Sequence, residues 1–126
     1  MQGDAKLFLI IGCTMALLAV ALGAFGAHAV KGRIAPELLS VYHTGVEYHF
    51  YHALGMILVG LAALRLPESG LLKSAGWAML AGTILFSGSL YLLSLTGVRW
   101  LGAITPFGGV AFLAAWGLFA LAVIRS

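Results

Sequence analysis

Apolar residues run through this chain in four long blocks separated by short polar stretches. The first extends from Leu7 to about Ala29 and stops at Lys31-Gly32-Arg33. The second covers His49 to Leu64, preceded by a more polar turn and closed by Arg65. The third runs from Leu71 to Leu95, and the fourth starts at Thr105-Pro106 and ends at Arg125. Each is close to the roughly 20 residues needed to cross a hydrocarbon core of about 30 Å. Hydrocarbon offers no partner to free backbone N–H and C=O groups, so each block is expected to be helical.

The punctuation between blocks fits that reading. Leu66-Pro67-Glu68-Ser69-Gly70 is a short turn with two breakers, and Thr96-Gly97 closes the third block. Thr105 would place a hydroxyl at a helix N-cap, with Pro106 at the first helical position, where its missing N–H costs nothing. Short loops between such helices predict an all-α integral membrane protein. The expected form is an antiparallel bundle of four transmembrane helices, one domain spanning residues 1–126.

Pro36 to Glu47 follows a different pattern. Leu38, Leu39, Val41, Tyr42 and Val46 fall on one arc, and Glu37, Ser40, His43, Thr44 and Glu47 on the other. This predicts a short interfacial amphipathic helix before the second span, or a polar overhang of that span at the membrane surface.

Composition strengthens the membrane assignment. Of 126 residues, 62% are hydrophobic and 9% charged, with a mean hydropathy of +1.06. A chain this short cannot bury so much apolar surface within itself, so its solvent is lipid. The 17 glycines fit helices that pack backbone to backbone. A net charge of +3 is spread along the chain rather than gathered into a stripe, which leaves no footprint for nucleic acid.

Charge says little about orientation. Lys6, Arg65, Lys73 and Arg125 on one side oppose Lys31, Arg33 and Arg99 on the other. The small excess favours both termini on the cytoplasmic side. The lone Cys13 excludes an intramolecular disulfide and a cysteine-rich metal site, and reads as a small buried hydrophobe. Ile10-Ile11-Gly12-Cys13 and Ala27-His28-Ala29 look like processing sites. The apolar run from Leu7 is nevertheless too long for the usual signal-peptide core and is expected to persist as a helix.

Small residues recur at helical spacing, as Gly12, Ala16, Ala19 and Gly23 in the first block and Ala78 with Gly82 in the third. Such stripes are packing surfaces, within one chain or between copies. Trp77 and Trp100 lie near helix ends, as interface anchors do, whereas Trp116 lies deeper and reads as packing.

Chemistry concentrates between Tyr42 and His52. Tyr42, Gly45, His49, His52 and Met56 repeat at three and four residues, the seam spacing of a packed helix, so His49 and His52 are expected to face inward. His43, Glu47 and Tyr51 form a second line, along which His43 and Glu47 can pair. His28, at the end of the first block, is expected at the level of His49 and His52. Imidazoles on neighbouring helices can hold a haem iron, and a histidine with Tyr48 or Glu47 can hydrogen-bond a quinone carbonyl. His49 and His52 share a face but lack a third metal ligand, so no metal site is expected. The competing reading is an internal polar network with no bound cofactor.

The third block carries Thr83, Ser87, Ser89, Tyr91 and Ser94 around Gly88. Hydroxyls on a membrane helix often bond their own backbone one turn back; the alternative is the lining of a solute path. No Ser/His/Asp arrangement, phosphate-binding glycine loop or paired-carboxylate site can be traced, so an enzyme is not expected.

Four blocks of sequence carry a resemblance. Gly23-Ala24-Phe25-Gly26-Ala27-His28, Tyr48 with Tyr51-His52-Ala53-Leu54, Phe86-Ser87-Gly88-Ser89-Leu90-Tyr91, and Leu101-Gly102-Ala103-Ile104-Thr105-Pro106-Phe107-Gly108-Gly109 occur in order along nearly the whole chain. Together they resemble the YgdD-like family of small inner-membrane proteins of unknown function, which has a transmembrane protein 256 branch in mitochondria. The resemblance implies a four-helix protein of the inner (plasma) membrane and brings no reaction. His28, His52, Ser87, Tyr91 and Thr105 are the polar residues within the matching blocks.

The expectation is thus a non-enzymatic multi-pass membrane protein, a homo-oligomer or an accessory subunit of a larger complex. Two other functions stay open: a binder of quinone, haem or lipid headgroup near His28, His49 and His52, and a small-solute channel or carrier lined by the third block.

Overall fold

In a computed structural model, which describes Met1 and residues 3–126, the chain is all-helical. Four long helices follow one another: α1 (Gly3–Phe25), α2 (Pro36–Ala63), α3 (Gly70–Thr96) and α4 (Thr105–Ile124). A π-helical turn, Gly26–Val30, extends α1, and a 3₁₀ turn, Arg99–Ala103, precedes α4. Three stretches, Gly3–Val30, Gly70–Thr96 and Arg99–Ile124, are long and apolar enough to cross a membrane. α2 is less apolar because it carries Glu37, His43, Glu47, His49 and His52.

The turns form where the sequence places its breakers. Ser69 caps α3 by accepting a 3.2 Å hydrogen bond from the Leu72 N–H. Gly97 ends the same helix with φ of 73°, a left-handed conformation that glycine adopts without a Cβ clash. Pro36 sits in the first turn of α2, where it disrupts no intrahelical bond.

Two expectations about these boundaries need correction. The interfacial helix over Pro36–Glu47 is not a separate element, since α2 runs unbroken from Pro36 to Ala63. Nothing between Glu47 and His49 breaks a helix, and the seam that begins at Tyr42 continues through His49, His52 and Met56. Tyr42 is fully buried by protein. Thr105 does not cap α4, because Ile104 holds the N-cap position without a side-chain bond. The Thr105 hydroxyl is taken up by α3 instead, as described below.

α2 and α3 occupy the centre, with α1 packed along α2 and α4 along α3. Close approaches fix the register. Gly60 lies against Leu9, Gly12 against Ile57 and the Ala53 carbonyl, Gly23 against Val46, and Gly26 against the Tyr42 ring. Gly55 meets Met79 and Trp116, Gly45 meets Tyr91, and Gly108 abuts the Phe86 backbone. The small-residue stripes are therefore consumed within the chain. Lipid tails are as apolar as leucine, so close packing rather than expulsion from water holds such helices together.

Residues from all four helices share one apolar core, including Phe8, Met56, Met79 and Ala115. Large apolar side chains such as Leu17, Val20, Ile84, Leu113 and Ile124 point outward. In lipid, that exposure costs nothing. Lys73 and Asp4 form an ion pair at 3.0 Å near the N-termini of α1 and α3.

Candidate functional site

The polar side chains of α2 and α3 meet in the half of the molecule nearer the α1–α2 connection. His49 and His52 are both buried, 6% and 4% exposed, because the seam spacing turns them away from lipid. Each ring then requires partners, since an unpaired polar group in an apolar interior costs several kcal/mol on the order of two or more.

His52 has both nitrogens committed. Its Nδ1 lies 2.7 Å from the Tyr48 carbonyl oxygen, one turn back on α2. Its Nε2 lies 3.1 Å from Nε1 of Trp116 on α4. A carbonyl only accepts and an indole N–H only donates, so the Nδ1–H donates to Tyr48 and Nε2 accepts from Trp116. This arithmetic fixes a neutral imidazole with its proton on Nδ1. The Phe112 ring stacks on the same imidazole at 3.4 Å between centroids and 8° between planes. Tyr48 and Phe86 complete the aromatic cluster, their centroids 4.6 Å apart.

His49 is hydrogen-bonded through Nδ1 to the Tyr91 hydroxyl of α3 at 2.8 Å. The Tyr91 ring in turn lies 5.4 Å from that of Tyr42, whose hydroxyl donates to the Leu22 carbonyl of α1. Three helices are thus joined by two tyrosines and one histidine. On the other side of α3, Ser89 donates to the Phe86 carbonyl at 2.8 Å and lies 2.6 Å from the Thr105 hydroxyl. The single proton of Ser89 is already used, so Thr105 donates to Ser89.

Thr83 and Ser94 turn their hydroxyls onto the carbonyls of Met79 and Tyr91 on the same helix. Ser87 is the exception. It is 0% exposed, and its Oγ has no hydrogen-bond partner. It borders a groove of about 320 Å³ between α1 and α3, whose wall also includes His49 and Tyr91.

The remaining candidates lie apart from this cluster. His28 is exposed on the π-helical turn. Because Gly26 faces Tyr42, His28 sits beyond the level of Tyr42, at least ~10 Å along the axis from His49 and ~15 Å from His52 at 1.5 Å per residue. The three imidazoles expected at one level are therefore not at one level. Glu47 is exposed beside a second, mainly apolar groove between α1 and α2 and makes no ion pair with His43 among the described residues. Tyr48 contributes its backbone carbonyl and ring. No three His, Cys, Asp or Glu side chains come together as a metal site among the described residues.

Sequence reasoning missed Trp116 and Phe112. An indole N–H deep in a span needs an acceptor, which was the available signal that Trp116 does more than fill space. Phe112 and Trp116 are one turn apart, so both reach His52 from a single face of α4.

A model of the family described as protein of unknown function DUF423 matches residues 22–109, which contain all four blocks of the sequence resemblance. The chain is 53% identical over 120 residues to the UPF0382 membrane protein YwdK of Bacillus subtilis, covering 95% of this chain and 98% of that protein. It is 43% identical over 111 residues to the UPF0382 membrane protein SH2409 of Staphylococcus haemolyticus, covering 88% and 89%. It is 42% identical over 120 residues to the UPF0382 membrane protein SERP0230 of Staphylococcus epidermidis, covering 95% and 97%. No solved structure matches the chain. By the extent of the family match and the identity to these relatives, the chain belongs to the DUF423 family and is a membrane protein.

Proposed function

We propose that this chain is a non-enzymatic, multi-pass protein of the plasma (inner) membrane, formed by one antiparallel four-helix domain and acting as an accessory, binding subunit of a membrane assembly. The observation that carries this reading is the state of His52, with both nitrogens and one ring face occupied by Tyr48, Trp116 and Phe112. A histidine so held is neither a free base nor an open iron ligand. His49 spends its Nδ1 on Tyr91, and His28 lies too far away to complete a pair. The network welds helices together.

Four crossings are supported by the connections. α1 and α3 are each long and apolar enough to cross, and α2 packs along both. Short turns join α2 to α1 at one end and to α3 at the other. A helix joined in that way traverses the same thickness, its polar groups turned into protein. Its 28 residues give a length of roughly 42 Å.

Self-association has lost its motive, because the stripes that suggested it are used between α1 and α2 and between α3 and α4. A solute path along α3 is likewise disfavoured: Thr83 and Ser94 bond their own backbone, while Ser89 faces Thr105 on α4. The test is native mass spectrometry with a visible spectrum, on protein gently extracted from its own membrane. One copy of the chain with a different component in fixed ratio is the expected result. Clean multiples of 13.2 kDa, or a haem band lost in His52→Ala, would overturn it.

A further inference from the structure

We infer that the outer face of α2 around Glu47, with the apolar groove beside it between α1 and α2, docks a transmembrane helix of a different protein that carries one Lys or Arg at the depth of Glu47. This names the kind of partner behind the accessory-subunit reading above and rests on it.

Three features carry the inference. The first is where Glu47 stands among the charges of the chain. All seven Lys and Arg lie in turns or in the first or last turn of a helix, and so do three of the four acidic residues, Asp4, Glu37 and Glu68. Glu47 alone is well inside a helix, eleven residues past Pro36, or ~16 Å along the axis. α2 is roughly 42 Å long against a hydrocarbon core of about 30 Å, so a centred helix extends ~6 Å beyond the core at each end. The Glu47 position is then ~10 Å below the hydrocarbon surface. The neighbouring helix gives the same level, since Gly23 lies against Val46 and is roughly 10 Å inward of Lys31 along α1.

The second is exposure. Ionisable side chains within a span almost always face the bundle interior or a cavity and pair there. Glu47 is exposed on the outside and makes no ion pair among the described residues. His43 and Tyr51, one turn to either side, are exposed as well, so the outer face of α2 carries a polar line. Outward positions on the other helices, such as Val20, Ile84, Leu92 and Val110, are apolar. Polar side chains on a membrane helix join it to a neighbouring helix, and α2 turns this line away from its own bundle.

The third is shape. The groove beside Glu47 has a volume of about 460 Å³. Ala19, Gly23 and Ala24 of α1 leave it open, and Val46 and Phe50 of α2 form the facing wall. Small residues of this kind admit the ridge of an incoming helix.

Charge selects the occupant. A carboxylate in hydrocarbon calls for a cation at the same depth, and a Lys or Arg there has the matching need, so each offsets the desolvation of the other. A second copy in the same orientation brings no Lys or Arg to this level, because all seven stand at helix ends or in turns. Lipid headgroup amines stay at the interface, ~10 Å away. A helix of another protein meets both conditions.

The experiment mixes the full chain in detergent micelles with a synthetic Leu/Ala helix of about 20 residues bearing one Lys at the matching depth, and reads complexes by native mass spectrometry. A one-to-one complex is expected. Replacing the peptide Lys by Leu, or Glu47→Gln in the protein, should each weaken it on the order of tenfold. Glu47→Lys should reject the Lys peptide and accept one bearing Glu instead. Ala24→Trp, from an exposed position, should fill the groove and abolish the complex. Absence of a complex with wild type, equal binding of the Leu peptide, failure of the charge exchange, or a wild-type homodimer that Glu47→Gln dissociates would each overturn the inference. The composition of the native assembly is measured without any peptide, so the accessory-subunit reading stands or falls separately.

Discussion

Trp116 on α4 donates its indole N–H to Nε2 of His52 on α2 at 3.1 Å, and this one bond dictates the tautomer of a buried histidine. α2 and α4 do not pack extensively on each other, so the bond ties an outer helix to a central one across the aromatic cluster of Tyr48, Phe86 and Phe112. Replacing Trp116 by Phe keeps most of the ring but strands Nε2. We expect a loss of about 1–3 kcal/mol, read as earlier unfolding in a denaturing-detergent titration. Trp77→Phe is the control, since Trp77 makes an edge contact with Phe8 and should matter less.

Ser87 and Ser89 differ by two positions and face opposite sides of α3. Ser89→Ala breaks the bond from Thr105 and should cost about 0.5–1.5 kcal/mol, in keeping with hydrogen bonds between membrane helices. Ser87→Ala removes a hydroxyl that has no partner, so stability should hold or rise. Thermal unfolding of the two variants side by side checks the pair.

Gly108 and Gly88 form a second contrast. A Cβ at Gly108 would run into the backbone of Phe86, which cannot yield as a flexible side chain would. Gly108→Ala should therefore cost about 1–3 kcal/mol or prevent α3 and α4 from packing. Gly88→Ala meets nothing within 4 Å and should be neutral or slightly stabilising, because alanine favours the helix. Expression level and detergent stability of the two variants distinguish them.

Tyr42→Phe should cost about 0.5–1.5 kcal/mol by removing the bond to the Leu22 carbonyl while keeping the ring packed on Gly26 and Tyr91. Denaturing-detergent titration measures it. The larger effect is expected from Gly26→Ala, whose Cβ would overlap that ring.

What the sequence made legible follows from periodicity. A 20-residue apolar run names a spanning helix, and a three-four repeat through Tyr42, Gly45, His49, His52 and Met56 names a buried seam. Both rest on local chemistry: three of the four runs coincide with helices long and apolar enough to cross a membrane, and the seam is buried within α2. Depth and pairing between helices were not legible in the same way. His28 was placed by the shortness of a connection, but the π-helical turn and the α1–α2 register carry it outward past Tyr42. The Trp116–His52 bond joins residues 64 positions apart and leaves no mark in any local pattern. Thr105 followed by Pro106 matched an N-cap signature, yet the helix starts one residue earlier, with Ile104 at the N-cap position, and the Thr105 hydroxyl is bonded to Ser89 on α3.

The most direct test of the account is the protonation state of the His52 side chain at neutral pH, measured by nitrogen-15 NMR on histidine-labelled protein in lipid nanodiscs. The account predicts a neutral ring with the proton on Nδ1, and an Nε2 resonance that moves when Trp116 becomes Phe. A proton on Nε2, or an averaged mixture of tautomers unaffected by that substitution, would contradict it.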